Sequence, residues 1–229
     1  MRAFDEAAEQ LEAEQAEQKE AIEASAPLLY DVPELDAGTG VRLVPATGDH
    51  AQVLARLMWD REVMLQTGSI HSTDRADRLA SGEDSPDYTV AQLEEIYERW
   101  SVAVDRAVWV IESHGEVVGE ILLLDLDAAN LSCGLRLWIA RRTGNGIGTR
   151  ALRAALSHAF DTVGLHRVSL EVYDHNPRAR RLYARIGFVH EGTLRDALRL
   201  DGHWVDAHVM SLLRPEWERL RAAGGSTQA

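Results

Sequence analysis

The amino-acid sequence predicts an α/β protein of the α+β kind, with a mixed, mostly antiparallel central sheet and helices on both of its faces. Three observations carry this. Strand-like apolar runs with short turns between them follow one another from Val108 to Ile139, as antiparallel strands do. From Leu131 onward, strand-like and helix-like periods alternate in a β-α-β-α series. No apolar run approaches ~18 residues, so no membrane-spanning segment and no membrane partner is expected.

Taken in order, residues 3–25 are almost all Ala, Glu and Gln, which predicts an extra N-terminal helix with few apolar anchors. Such a helix is either a frayed terminus or a docking element for a partner subunit, and the second leaves a homodimer open. Residues 1–36 hold 11 acids and 2 bases, so this arm is read as an acidic appendage that is dispensable for folding. A linker is expected from Pro33 to Gly40, and the globular domain over 37–229. Val41 to Pro45 alternates like a strand. Asp49 is positioned to cap a helix carrying Val53, Leu54, Leu57 and Met58. Residues 66–89 are polar with no clear period. Thr89 to Val104 reads as a helix with Leu93, Ile96 and Trp100 on one face. Val108–Ile111 and Val117–Leu124 form a hairpin about a turn at 113–116, and Leu131–Ile139 is a third strand. After a Gly-rich loop comes a helix with Leu152, Leu156 and Phe160, then a strand at His166–Tyr173. The next helix has Asn176 as N-cap, Pro177 at its first position and Gly187 as its stop. His203–Leu213 is expected to close the sheet.

Composition removes several function classes. The 229 residues carry 24 Lys+Arg against 37 Asp+Glu, a formal charge of −13, and more than half of that excess lies in the arm. Nucleic-acid binding needs a basic footprint that is absent here. Lys19 is the only lysine, so phosphate-loop NTPases and Schiff-base enzymes are excluded. Cys133 is the single cysteine; it rules out an internal disulfide and Cys-rich zinc sites, and it is expected in the core. The nine histidines show no metal-ligand spacing, so no metal is expected. With no signal-peptide pattern in Met1–Asp5, a cytoplasmic location follows.

Two constellations carry chemistry. The first is Leu137-Trp138-Ile139-Ala140-Arg141-Arg142-Thr143-Gly144-Asn145-Gly146-Ile147-Gly148-Thr149, which runs strand, Gly-rich loop, helix. Free backbone N–H groups converging at a helix N-terminus suit a phosphate or pyrophosphate, although a plain strand-to-helix turn gives the same pattern. The second runs from Glu171 to Phe188 and includes Asn176-Pro177-Arg178-Ala179-Arg180-Arg181-Leu182-Tyr183. Val168, Leu170 and Val172 share one strand face and Ser169, Glu171 and Tyr173 the other. Ala179, Leu182 and Ile186 form the core stripe of the helix, with Tyr183 beside it. A carboxylate and a phenol so placed can converge as base and acid, or be a surface Glu and a half-buried Tyr.

Together these motifs resemble the GNAT superfamily of N-acetyltransferases over roughly residues 41–217. The tail, with Glu191-Gly192-Thr193-Leu194-Arg195-Asp196 and Asp201-Gly202-His203-Trp204-Val205-Asp206, resembles the RimJ/RimL-type branch, which acetylates ribosomal-protein N-termini, and the polyamine acetyltransferases. The resemblance implies that acetyl-CoA lies between the strand ending near Ile139 and the strand at 166–173. The backbone of Arg136, Leu137 and Trp138 would hold the pantetheine arm. Gly144, Asn145, Gly146, Ile147, Gly148 and Thr149 would hold the pyrophosphate. In the frame ending on Gly146 and Gly148, the family's Gln/Arg position is Thr143, while Arg142 stands one residue early among the cofactor contacts. Asn176 would touch the cofactor, and the Tyr183 hydroxyl would lie near its sulfur.

The implied reaction is direct acetyl transfer to a primary amine. Glu171 would take the proton of an amine that is mostly protonated at pH 7. Tyr183, with a reference pKa of ~10, would protonate the leaving thiolate, and a strand N–H would hold the oxyanion. A protein or peptide N-terminus is the expected acceptor. A small amine (polyamine or aminoglycoside) and a non-catalytic acyl-CoA-binding module are the alternatives. Asp74, Asp77, Glu83, Asp84 and Asp87 in the aperiodic segment are expected in the acceptor wall, either facing a cation or simply solvated.

Overall fold

The computed structural model describes Leu29, residues 32–140 and residues 146–225. The helix expected over residues 3–25 lies outside the described residues, as do Arg142, Gly144 and Asn145 of the Gly-rich loop.

The described chain opens with two strands, β1 (Leu35–Gly38) and β2 (Val41–Pro45), paired antiparallel. Strand β1 falls where a linker is expected. The reason lies in the residues just ahead of it: Leu29 is 1% exposed within the main core, and Pro33 O accepts the indole N–H of Trp109 at 2.8 Å. Thr47, rather than Asp49, starts the next helical segment, its N–H bonding His50 Nδ1 at 3.1 Å. A 3-10 turn at Gly48–His50 then leads into α1 (Ala51–Met58).

The segment read as aperiodic is helical over much of its length, with α2 (Arg61–Thr67) and α3 (Thr73–Ser81). Caps rather than an apolar stripe define these short helices. Asp60 Oδ1 accepts from the N–H groups of Glu62 and Val63, and Ser72 Oγ accepts from Arg75 N–H. Left-handed glycines, Gly68 and Gly82, end them. Helix α4 (Val90–Ser101) follows, capped by Thr89.

Strands β3 (Ala107–Ser113), β4 (Glu116–Asp127) and β5 (Ser132–Ile139) form the expected meander. Then come α5 (Ile147–Ser157), a π turn at His158–Thr162, β6 (Arg167–Tyr173), α6 (Pro177–Ile186), β7 (Val189–Leu200), β8 (His203–Leu213) and α7 (Arg214–Gly225). Asn176 Oδ1 accepts from Ala179 N–H at 3.0 Å, the cap its position predicts.

The eight strands form one sheet in the order β1-β2-β3-β4-β5-β6-β8-β7, with β5 and β6 the parallel pair. His203–Leu213 therefore does not close the sheet. Strand β8 lies inside, between β6 and β7, and the nearly fully exposed β7 forms the edge. The Asp201–Gly202 turn, with φ of 48° and 81°, folds β7 back on β8.

Side chains alternate between two layers. On face one, Trp109, Ile121, Leu135, Val168 and Leu212 join α5, α6, α7 and the π turn in the main core. On face two, Val108, Val110 and Leu122 pack with α1 and α4. Helices α2 and α3 hold a separate small cluster of Met64, Ile70 and Ala76. Among the described residues, no helix is long and apolar enough to cross a membrane.

Candidate active site

The site begins where the sheet comes apart. Strands β5 and β6 pair only through Ser132↔Arg167, Cys133↔Val168 and Gly134↔Ser169. Beyond Gly134 the ladder stops, leaving a V-shaped gap bounded by the C-terminal halves of both strands. Ala140 N–H bonds Val118 O at 2.9 Å, and Trp138 and Arg136 stand opposite Glu120 and Leu122 of β4. Backbone groups alternate in direction along an antiparallel strand, so residues 136, 138 and 140 present theirs to β4. Leu135, Leu137 and Ile139 present theirs to the gap. An extended ligand can pair with this edge as a strand would. Of the three residues expected to act through their backbone, Leu137 is thus aimed at the gap, while Arg136 and Trp138 extend side chains over face two.

Helix α5 starts at one lip of the gap. Gly146 has a φ of +75° and no side chain caps the helix, so the N–H groups of Ile147, Gly148 and Thr149 end an eleven-residue helix at its positive pole. A Cβ on Gly148 would lie 3.4 Å from both Ile139 Cδ1 and Leu182 Cδ2. Glycine there lets the helix seat closely on β5 and α6. At the other lip, the Asn176 carbonyl oxygen is already engaged in capping α6.

Glu171 and Tyr183 lie on opposite faces of the sheet. Val168, Leu170 and Val172 lie in the main core, which turns Glu171 to face two, where it is exposed. Tyr183 projects from α6 on face one. It does not flank the core stripe as its position suggests but belongs to it, 5% exposed, with its ring 5.8 Å from that of Phe188. Burial pushes its phenol above the ordinary range, so it stays protonated. The base candidate is therefore wet and the acid candidate dry. Cys133 is a core thiol, pushed up to about 12 chiefly by burial.

A buried carboxylate beside the gap is not evident from sequence. Glu120 of β4, 4% exposed, accepts the Tyr97 hydroxyl at 2.7 Å and the Trp138 indole N–H at 2.9 Å. Burial raises its pKa to about 6, against the pull of those two hydrogen bonds. The signal available is one acid in the apolar run Val117-Val118-Gly119-Glu120-Ile121-Leu122. Four of the five acids expected in the acceptor wall are paired with nearby arginines: Asp74 with Arg78, Asp77 with Arg61, Asp84 with Arg75 and Arg78, and Asp87 with Arg75. The Ser85 N–H and these guanidiniums hold Asp84 below the usual carboxylate range. Among the described residues, no group of His, Cys, Asp and Glu is arranged to hold a metal ion.

Comparison with known proteins adds the family context. The model of the acetyltransferase (GNAT) domain matches residues 41–189. YdaF of Bacillus subtilis, provisionally described as a ribosomal N-acetyltransferase, is 38% identical over 105 residues, 45% of this chain and 57% of that protein. The spermidine N(1)-acetyltransferase of Vibrio cholerae is 26% identical over 136 residues, 58% of this chain and 79% of that protein. The structure of Mycobacterium smegmatis RimJ in complex with CoA-disulfide superposes with a TM-score of 0.62 at 29% identity, covering 84% of this chain and 94% of the other.

Proposed function

Because the chain belongs to the acetyltransferase (GNAT) family, we propose that it is an acetyl-CoA-dependent N-acetyltransferase whose acceptor is the N-terminal amine of a protein or peptide. The observation that carries this reading is the unpaired edge of β5, flanked by Glu171 on one side of the sheet and Tyr183 on the other. When bound, acetyl-CoA supplies the thioester acetyl group. Leu137, with Leu135 and Ile139, offers backbone donors and acceptors to its extended arm. The N–H groups from Gly146 to Thr149 would hold its pyrophosphate, and the family resemblance assigns Arg142, Gly144 and Asn145 to the same contact. Arg136 and Trp138 would border the arm from face two, and Asn176 from the β6 side.

On the open face, Glu171 accepts a proton from the incoming ammonium, directly or through water, and so frees the lone pair that attacks. On the dry face, the neutral Tyr183 hydroxyl gives a proton to the departing sulfur. The placement suits both tasks, since the acceptor arrives from solvent and the donor must still hold its proton when the sulfur departs, regaining one from solvent after the products leave. No further cofactor enters these steps.

The acceptor follows from charge. A polyamine carries several positive charges and calls for unpaired carboxylates, yet the acids at 74, 77, 84 and 87 already face arginines. A polypeptide N-terminus brings one charge, which Glu171 alone can meet. The similarity to a spermidine acetyltransferase over 79% of that protein favours a polyamine as the second reading. An amine panel tests both, with released thiol as the rate and mass spectrometry as the product assay. Turnover of peptides over spermidine is expected. Spermidine over peptides would install the second reading, and acetyl-CoA binding without turnover of any amine would leave only a binding module.

A further inference from the structure

Helices α2 and α3 form a bar across the open end of the V. At one end, Arg61 of α2 and Leu79 of α3 share a pocket of about 320 Å³ with Ala140, the residue just after β5. At the other end, Leu65 O accepts from His175 Nε2 at 2.8 Å just past β6, and Gly68 lies against the ring of Tyr173. A Cβ at Gly68 would come within 2.4 Å of that ring, so the approach itself requires glycine. The bar thus stands on both lips of the gap, on the face to which Glu171 turns.

The bar is built apart from the rest. Three of its four buried side chains, Met64, Ile70 and Ala76, form a cluster separate from both sheet cores, the fourth being Val63. The chain enters it through Trp59–Asp60 and leaves through residues 82–88. Between those two ends, and among the described residues, its side-chain hydrogen bonds beyond His175 go to one place, the turn between β7 and β8 and the end of β7 beside it. Asp201 takes the Thr73 N–H on Oδ1 at 2.8 Å and the Thr73 hydroxyl on Oδ2 at 2.7 Å. Its own N–H donates to His71 O at 3.0 Å, and His71 Nδ1 donates to Arg199 O at 3.0 Å. The two bonds from Thr73 hold the Asp201 carboxyl below its ordinary range. Few buried contacts and a concentrated polar attachment are what a locally opening unit shows.

We infer that α2–α3 is a hinged bar over the acceptor side of the gap and that Asp201 is its latch, a specificity-determining residue remote from the chemistry. The inference rests on the acetyl-transfer reading for its acceptor, but not for its motion. With the latch closed, an amine reaches Glu171 only as the end of a slim chain. With the latch released, the bar swings on its two connections and bulkier amines gain entry.

The test uses the full chain and two variants. Asp201→Gly removes the carboxylate while tolerating the φ of 48°. Asp201→Asn keeps an acceptor for the Thr73 N–H. In Asp201→Gly, amide hydrogen exchange over 61–81 should quicken about tenfold while the sheet is unchanged. The ratio of kcat/KM for a peptide with N-terminal Ala over that for a ring-borne aminoglycoside amine should fall by a similar factor, with acetyl-CoA affinity kept. Asp201→Asn should recover part of both changes. Unchanged exchange in Asp201→Gly overturns the latch. Faster exchange with an unchanged ratio overturns the specificity role. If the parent acetylates no amine at all, the acetyl-transfer reading and the specificity role fall together, and the exchange arm alone decides whether the latch exists.

Discussion

The two faces of the sheet are built on different principles. Face one is dry and continuous: residues from β2 to β8 pack there on α5, α6 and α7, and its one functional candidate, Tyr183, is part of that packing. Face two is interrupted. A smaller cluster under α1 and α4 holds the buried Glu120 with Tyr97 and Trp138, and then gives way to the gap and to a bar with a core of its own. Apolar packing makes one face rigid, whereas polar and charged groups on the other are held by a few directed bonds. On the proposed reading, a donor that must hold its proton until the sulfur departs sits on the first face, and a base that must meet solvent sits on the second.

Four experiments would break or sharpen that contrast. Tyr183→Phe has the largest expected effect. Among the described residues no partner shifts the pKa of the hydroxyl, so packing survives and the melt should barely move, while kcat falls ~10²-fold or more and acetyl-CoA binding persists. Parental turnover with chemistry rate-limiting would make Tyr183 a packing residue alone.

Glu171→Gln on the wet face should lower kcat/KM, also by ~10²-fold. The deficit should be greatest at low pH, where more of the amine carries the proton that Glu171 removes, and should shrink as pH rises. A pH profile parallel to the parent's would take the base role from Glu171.

Deleting residues 1–36 probes the dry face. Composition marks that arm as dispensable, but the deletion removes Leu29 from the core and the carbonyl of Pro33 from the Trp109 indole. Burying a leucine contributes about 1.5–3 kcal/mol, and an orphaned buried donor costs about 1–3 kcal/mol. A loss of about 3–5 kcal/mol in urea unfolding is expected, and an unchanged midpoint would show that neither contact matters. Beginning the chain at residue 29 should keep most of the stability.

The smallest effect concerns Glu120. Its pKa is raised from 4.5 to about 6 in the folded protein. The native state therefore holds its proton more tightly, and the associated stability is present below about pH 4.5 and lost as pH rises through about 6. At 1.36 kcal/mol per unit this amounts to at most about 2 kcal/mol. Glu120→Gln should flatten that part of the stability curve; an unchanged slope between pH 4.5 and 6 would assign the titration elsewhere.

How legible these features are follows from how local their causes are. The α6 cap is written in Asn176-Pro177, and the α5 stripe in Leu152 and Leu156, carried on by Phe160 of the π turn, because capping and four-residue spacing act within one or two turns. Helices α2 and α3 were open to the same reading through Asp60, Ser72, Gly68 and Gly82, but their polar sequences hide them from any search for apolar periodicity. Strand β7 offers no alternation at all, since an exposed edge has no buried side to alternate with. The membership of Tyr183 in the core stripe depended on where α6 lies over Phe188, a matter of tertiary placement.

By itself the sequence determined the elements whose stability is local or amphipathic: the meander, the Gly-rich turn into α5, the capped α6, and with them the family. Tertiary structure alone decided the rest. The splay of β5 from β6, the faces taken by Glu171 and Tyr183, the burial of Glu120 under residues 18 and 23 positions away, and the grip of Asp201 on a helix 128 positions earlier all join groups far apart in the chain. Such contacts leave no period to read, because what fixes them is the packing of whole layers.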